Sequence, residues 1–350
     1  MKALSATGSK ESGPWAEELR LVIRPVAEDM RAVEDCLTET FADLNDPAVS
    51  ALVDFVFASP GKRIRPALAL LSARAVLPGA DWTPRVREAA VRLGAAVELI
   101  HVASLVHDDF VDAAAIRRHQ PSVNAKWGGQ VSIALGDLLC AHAIRLVARC
   151  EDPRIFAQLG GALSTMCEGE MMQVLGRCRF DLSEKDCLAA IEKKTAVFFG
   201  ACCGTAATLA GAEKVRCRHL EDFGLHVGMG FQILDDCRDL LGSRRILGKT
   251  PAQDVLSRDM TLPLLHVLEE NQGRKRLSRL DRDGLDTASL DRIRELFRSS
   301  GGSARIEQLG RSYAERAKQD LRSIADSEFK KSLCQLADWI AKSISQILSR

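Results

Sequence analysis

Between Val86 and Asp109, the residues Val86, Ala89, Ala90, Leu93, Ala96, Val97, Ile100 and Ser104 recur at spacings of three and four and lead to Asp108. That period places them on one stripe of an α-helix. A second stripe, in a helix expected over about 221–240, passes through Gly228, Phe231 and Gln232 to Asp235 and Asp239. Both stripes end in carboxylates. From Trp15 to Arg350 helical periodicity is broken only by short Gly, Pro and Asp punctuation, and no alternating run is long enough for a sheet. Composition agrees: aromatics are 5% of the chain, with Tyr313 the single tyrosine, whereas sheet-rich folds draw more heavily on aromatic and β-branched residues. The expected fold is all-α.

Residues 1–14 are small and polar and are expected to form a flexible tail, leaving 15–350 as a single helical domain. Gly301-Gly302-Ser303 marks a turn before two last helices, expected over about 305–324 and 328–348. With 350 residues, 46% of them hydrophobic, and a net charge of +1, the chain has the proportions of a soluble globular protein and gives no electrostatic case for nucleic-acid binding. Its 11 cysteines are odd in number and lack a CxxC spacing, so they read as reduced thiols of a cytosolic protein. The N-terminus has no apolar signal-peptide core, and the uncharged stretch 195–212 reads as a buried helix. No transmembrane segment is expected.

Asp108-Asp109-Phe110-Val111-Asp112 stacks Asp108 and Asp112 across one helical turn, where like charges repel. A solvated helix end would tolerate this. The second copy, Asp235-Asp236-Cys237-Arg238-Asp239, makes chance less credible: six carboxylates facing one space call for hard divalent cations and an anionic ligand, of which diphosphate is the natural candidate. Counter-charges are present in Gly61-Lys62-Arg63-Ile64-Arg65-Pro66, ahead of a helix expected over 67–76, and in Arg117-Arg118, Lys193-Lys194-Thr195 and Gly248-Lys249-Thr250. His101, seven residues before Asp108, lies on the same side of its helix, whereas His107 reads as structural. Glu170 and Gln173 fit a core hydrogen-bonding pair or a polar pocket wall equally well, and Cys202-Cys203 read as packing residues.

These motifs, in this order, resemble those of the all-trans polyprenyl diphosphate synthase family. The likeness runs from about Ile23 to near the C-terminus and continues through Pro121-Ser122-Val123-Asn124, Gly136-Asp137, Gly169-Glu170, Phe231-Gln232, Asp254 and Thr261-Leu262-Pro263-Leu264. The resemblance implies a bundle of about ten or more helices around a central substrate cavity. It implies that Asp108, Asp112 and Asp235, supported by Asp109, Asp236 and Asp239, bind three Mg2+ ions bridging an allylic diphosphate. Arg117, Lys194 and Lys249 would meet the same diphosphate. Lys62, Arg65, His101 and Arg118 would hold isopentenyl diphosphate, while Thr195 and Gln232 steady the allylic cation. A homodimer in the cytoplasm, with a membrane-directed product, is implied as well.

Product length is expected to be set at Ala103 and Ser104, one turn before Asp108, where both residues are small. A path then opens toward Ile100 and Val97, and each turn of roughly 5.4 Å gives room for about one more isoprene unit, predicting a product of about C30 to C50. The alternatives are a shorter geranylgeranyl or farnesyl product and, from a different class, a non-catalytic subunit of a heteromeric synthase; a terpene cyclase would not need a phosphate loop for a second substrate such as Gly61-Lys62-Arg63-Ile64-Arg65-Pro66. The chain departs from the family pattern at Ser59-Pro60, at Ala113-Ala114-Ala115 and at His119. The most consequential departure is Asp259, where the family commonly has lysine, with Arg258 beside it as the expected substitute.

Overall fold

The computed structural model describes residues 14–242 apart from 60, 78, 178 and 180, together with 252–269 and 287–349. The expected tail, except Pro14, and the Gly248-Lys249-Thr250 turn lie outside the described residues. In chain order the helices are α1 (Pro14–Ile23), α2 (Ala27–Thr40), α3 (Pro47–Phe57), α4 (Ile64–Val76), α5 (Pro84–Val111), α6 (Val123–Trp127), α7 (Gly129–Ala148) and α8 (Pro153–Leu175). There follow α9 (Glu184–Ile191), α10 (Val197–Leu209), α11 (Lys214–Leu241), α12 (Gln253–Ser257), α13 (Leu262–Glu269), α14 (Thr287–Ser299), α15 (Gly302–Asp320) and α16 (Glu328–Leu348). The all-α expectation holds.

Local chemistry sets the helix starts. Thr83 accepts a hydrogen bond from the Val86 backbone N–H and Pro84 occupies the first helical position of α5; Asp152 and Pro153 do the same for α8. A capping box joins Ser183 to Asp186 at the start of α9. α11 begins seven residues before the expected start, because Cys217 and Leu220 are buried although the intervening positions are charged. One small departure from all-helix is a two-residue antiparallel hairpin, Ile116–Arg117 with Gln120–Pro121, whose turn residues Arg118 and His119 both have positive φ.

α10 is buried along nearly its whole length, packed by α4, α8 and α11. α5 lies along α7 and α4, and α15 and α16 cover α11. One continuous apolar core runs from Leu19 in α1 to Ile347 in α16. One close approach inside it depends on Gly228 of α11, where an added Cβ would sit 2.7 Å from the Ala196 Cα. That contact draws α11 onto the segment carrying Lys194 and Thr195. α5 and α7 are long and apolar enough to cross a membrane, but the apolar window of α5 is mostly buried within the fold. The ten described cysteines are free thiols, and Cys202 and Cys203 are fully buried in α10.

Candidate active site

The C-terminal turn of α5 presents its aspartates to different surroundings. Asp109 is buried and accepts hydrogen bonds from Arg117 Nε at 2.8 Å and Nη2 at 2.6 Å. Burial works against the Arg117 charge, but Asp109, with Asp108 and Asp235 behind it, more than offsets this and raises the guanidinium pKa. Asp108 is in the opposite situation. Burial pushes its carboxyl up to about 6, Lys194 offsets part of that, and Glu170 and Asp112 add to it. Arg65 and Arg117 both feel Asp108 and Asp235, which brings the two aspartate motifs into one electrostatic neighbourhood.

On α11, Gln232 links two of the expected residues: Thr195 Oγ1 donates to Gln232 Oε1 at 2.8 Å, and Gln232 Nε2 donates to Asp236 Oδ1 at 2.8 Å. The Thr195 hydroxyl is thereby oriented by a chain that ends on a carboxylate. Asp239 is buried and accepts the Asp254 N–H at 3.0 Å, while its backbone carbonyl accepts that of Ala252. Gln253, between them, donates to the Asp112 carbonyl at 3.1 Å. The start of α12 thus ties the two aspartate motifs together.

Lys194 lies in a π-helical turn, Glu192–Ala196, between α9 and α10. Such a turn inserts one residue into the helical ladder and re-aims the side chains that follow. Across from it Gly169 of α8 has no Cβ; one placed there would be 2.8 Å from the backbone of both Lys193 and Lys194. The close approach lets Lys194 Nζ reach Glu170 Oε2 at 2.6 Å. Burial lowers the Lys194 pKa, but Asp108 and Glu170 outweigh it and the amine is held charged. Glu170 is therefore the partner of a half-buried cation, which the i, i+3 spacing with Gln173 did not reveal.

The cationic loop divides its labour. Arg63, at φ 50°, turns inward and donates to Glu34 at 2.7 Å and to Glu98 at 2.6 Å. Glu98 is 1% exposed, so the ion pair is structural and anchors the loop to α2 and α5. Sequence reasoning gave Arg63 no separate role; its partners lie 29 and 35 residues away. Arg63→Ala would leave Glu98 buried without its counter-ion and is expected to destabilise the fold by about 3–5 kcal/mol, measured by denaturant unfolding.

Lys62 and Arg65 flank this anchor. Arg65 lies over the Phe199 ring, 4.5 Å from its centroid, and its buried Nε has no hydrogen-bond partner in the protein. Burial lowers its pKa, opposed by Glu98, Asp235 and Asp108 among others. Arg118 Nη1 donates to the Ser59 carbonyl at 2.7 Å, and burial lowers its pKa to about 10. His101 is neutral: burial, then Arg65, Arg118, Arg117 and Arg63, hold its pKa well below the usual value. Arg63 and Arg117 are already paired with carboxylates, but together the four guanidinium groups leave the neutral imidazole in cationic surroundings suited to a multiply charged anion.

Ala103 is fully buried and Ser104 half-buried, its hydroxyl donating to the His101 carbonyl at 2.9 Å. Asp259 is paired with Arg177, which follows α8: Arg177 Nε donates to Asp259 Oδ1 at 2.8 Å and Nη2 reaches Asp112. Sequence reasoning missed Arg177 altogether, since 65 and 82 residues separate it from these partners.

Among the described residues no three His, Cys, Asp or Glu side chains form a ready cage for a metal ion. Asp108 suits a divalent cation, because a nearby positive charge would return this half-buried carboxyl to its ionised form.

An all-helical bundle that brings two aspartate-bearing helices and a cluster of guanidinium groups into one electrostatic neighbourhood suits an enzyme of diphosphate chemistry. Residues 46–298 match the model of the polyprenyl synthetase family, and the chain belongs to that family. It is a prenyltransferase of the polyprenyl diphosphate synthase type. A prenyl transferase of Synechocystis sp. is 32% identical over 90% of this chain and 96% of its own length. Heptaprenyl diphosphate synthase component 2 of Geobacillus stearothermophilus is 32% identical over 93% of this chain and 99% of its own length. The polyprenyl synthase of Caulobacter crescentus, solved with calcium and isoprenyl diphosphate, superposes with a TM-score of 0.85 at 30% identity, covering 93% of this chain and 97% of that one.

Proposed function

We propose that this enzyme condenses an allylic diphosphate with isopentenyl diphosphate, repeatedly, to an all-trans polyprenyl diphosphate of about C30 to C50. The observation that carries the reading is the placement of Arg65 and Arg117 within the fields of both Asp108 and Asp235, with a neutral His101 among the cations. Three Mg2+ ions, held by Asp108, Asp112 and Asp235 with the support of the neighbouring aspartates, would neutralise charge on the departing diphosphate. Lys194, kept charged by Asp108 and Glu170, would meet the same anion together with Arg117, a role that the resemblance also gives to Lys249. As the allylic C–O bond breaks, the Thr195 hydroxyl, oriented by Gln232, turns an oxygen toward the carbocation. Lys62, Arg65, His101 and Arg118 hold isopentenyl diphosphate so that its double bond attacks that carbon and a proton is then lost.

A homodimer suits the surface. Ile133 and Ile144 on α7 and Phe156 and Met172 on α8 are exposed, an apolar presentation that a second copy would cover. The relative named as a synthase component keeps a heteromeric reading in play for this chain. Incubating the purified chain alone with Mg2+, labelled isopentenyl diphosphate and allylic primers decides between them. Label is expected in prenyl diphosphates of about C30 to C50 and to be lost on chelation. Incorporation that appears only when a second protein is added would establish the heteromeric reading instead.

A further inference from the structure

Asp259 stands where the family resemblance leads one to look for a lysine, yet the surrounding charge is not simply lost. Arg177 enters from the turn after α8 and makes three anchors at once. Its Nε donates to Asp259 Oδ1 at 2.8 Å, its Nη1 to the Val111 carbonyl at 3.3 Å, and its Nη2 to Asp112 Oδ1. Nη2 also lies 3.4 Å from Asp259 Oδ2. Val111 is the last residue of α5, so Arg177 also caps an otherwise unpaired helix carbonyl. Asp259 is 4% exposed at its side chain, against 23% for Arg177 and 20% for Asp112. The buried, immobile end of the chain of charges is therefore Asp259, and the end that opens to the site is Asp112.

We propose that Arg177 is a built-in counter-ion for Asp112 in the metal-free enzyme, and that Asp259 is a positioning residue that sets how strongly it competes with the entering cation. The inference rests on the metal–diphosphate reading of Asp112 given above. One guanidinium fork is shared between two carboxylates, and a carboxylate that binds a cation cannot keep the same charge-assisted bond on the same oxygen. Metal binding then exchanges a single contact, that of Nη2 with Asp112, while the Nε bond to Asp259 and the Nη1 bond to the helix end keep Arg177 in place. Asp259 weakens the competitor by holding half of it. A lysine at 259 could not do this, and it would repel Arg177.

The two members of the pair should therefore have opposite effects, which a purely structural ion pair would not. The readout is the Mg2+ concentration giving half of the thermal stabilisation produced by saturating inorganic diphosphate. Arg177→Gln is expected to lower it roughly tenfold or more, the range set by loss of one charge-assisted hydrogen bond. Asp259→Asn, which leaves the guanidinium wholly to Asp112, is expected to raise it. The double variant is expected to behave as Arg177→Gln, since Asp259 acts only through Arg177. Shifts in the same direction, no shift, or additive effects in the double variant would overturn the proposal. Unliganded melting temperatures confirm that each variant is folded, and Arg177→Lys, predicted to fall between wild type and Arg177→Gln, serves if the glutamine variant is not. Should Mg2+ and diphosphate fail to stabilise the wild-type chain, the parent reading falls and this inference with it; stabilised wild type with unmoved variants rejects the inference alone.

Discussion

Asp108→Ala and Asp235→Ala are each expected to lower turnover by on the order of 10²–10³-fold or more while leaving the fold intact. Each removes a carboxylate whose work is done mainly as charge builds on the departing diphosphate, so the loss falls on kcat more than on substrate binding. For Asp108 the structural side is explicit. Its carboxyl is pushed up to about 6 by burial, with Lys194 only partly offsetting this, so the unliganded protein carries an ionised group it does not favour. A carboxyl pKa raised on folding means that the native state holds the proton more tightly, and stability falls as pH rises from the ordinary carboxylate range toward about 6. Above that window the unliganded Asp108→Ala variant should melt no lower than the wild type. Lys194 keeps Glu170 as a partner at 2.6 Å, so the cation is not orphaned. Single-turnover rates at saturating Mg2+, together with melting curves, check both halves; near-normal turnover in either variant would sink the proposed mechanism.

Ala103→Phe is expected to shorten the product from about C30–C50 to C15 or C20 while sparing the first condensation. Ala103 is fully buried one turn below the first aspartates, and Ile100 and Val97 continue the same stripe into the core. If the growing chain passes this turn, a ring at 103 occupies the passage and the protein keeps its stability. If the position is instead solid core, the ring must overpack it, costing about 1–3 kcal/mol and leaving the product unchanged. Product sizing and thermal melting of the same preparation separate the two. A wild-type enzyme that stops at C15 would show that the tail does not run along this helix.

The helices were legible because their signals are local. Thr83-Pro84 starts α5 and the stripe of threes and fours carries it to the aspartates, so the expected 86–109 and the observed Pro84–Val111 differ only at the frayed ends. The hairpin at Ile116–Pro121 escaped notice because two residues per strand carry no period, and its turn rests on positive φ at Arg118 and His119, neither of which is glycine. The chemical inventory was legible as well. Two aspartate runs and several basic loops are properties of residue type and spacing.

What those residues do to one another was not. Asp108 and Asp109 are neighbours in the chain, yet one is a half-buried carboxyl raised to about 6 and the other is fully buried and clasped by Arg117 at 2.6 Å. Arg63 and Arg65 look alike in the loop, yet Arg63 is spent on Glu34 and Glu98 while Arg65 keeps a nitrogen without a protein partner. Asp259 read as a missing cation, and the structure supplies Arg177 from 82 residues away. By itself the sequence determined the helical periods and the stock of charges, since these depend on residue type and on neighbours within a turn or two. Tertiary packing decided which carboxylate met which cation. A hydrogen-bonded ion pair forms only within about 3 Å, and that distance is set by how closely the helices approach, through side chains as small as that of Gly169 against the Lys194 turn.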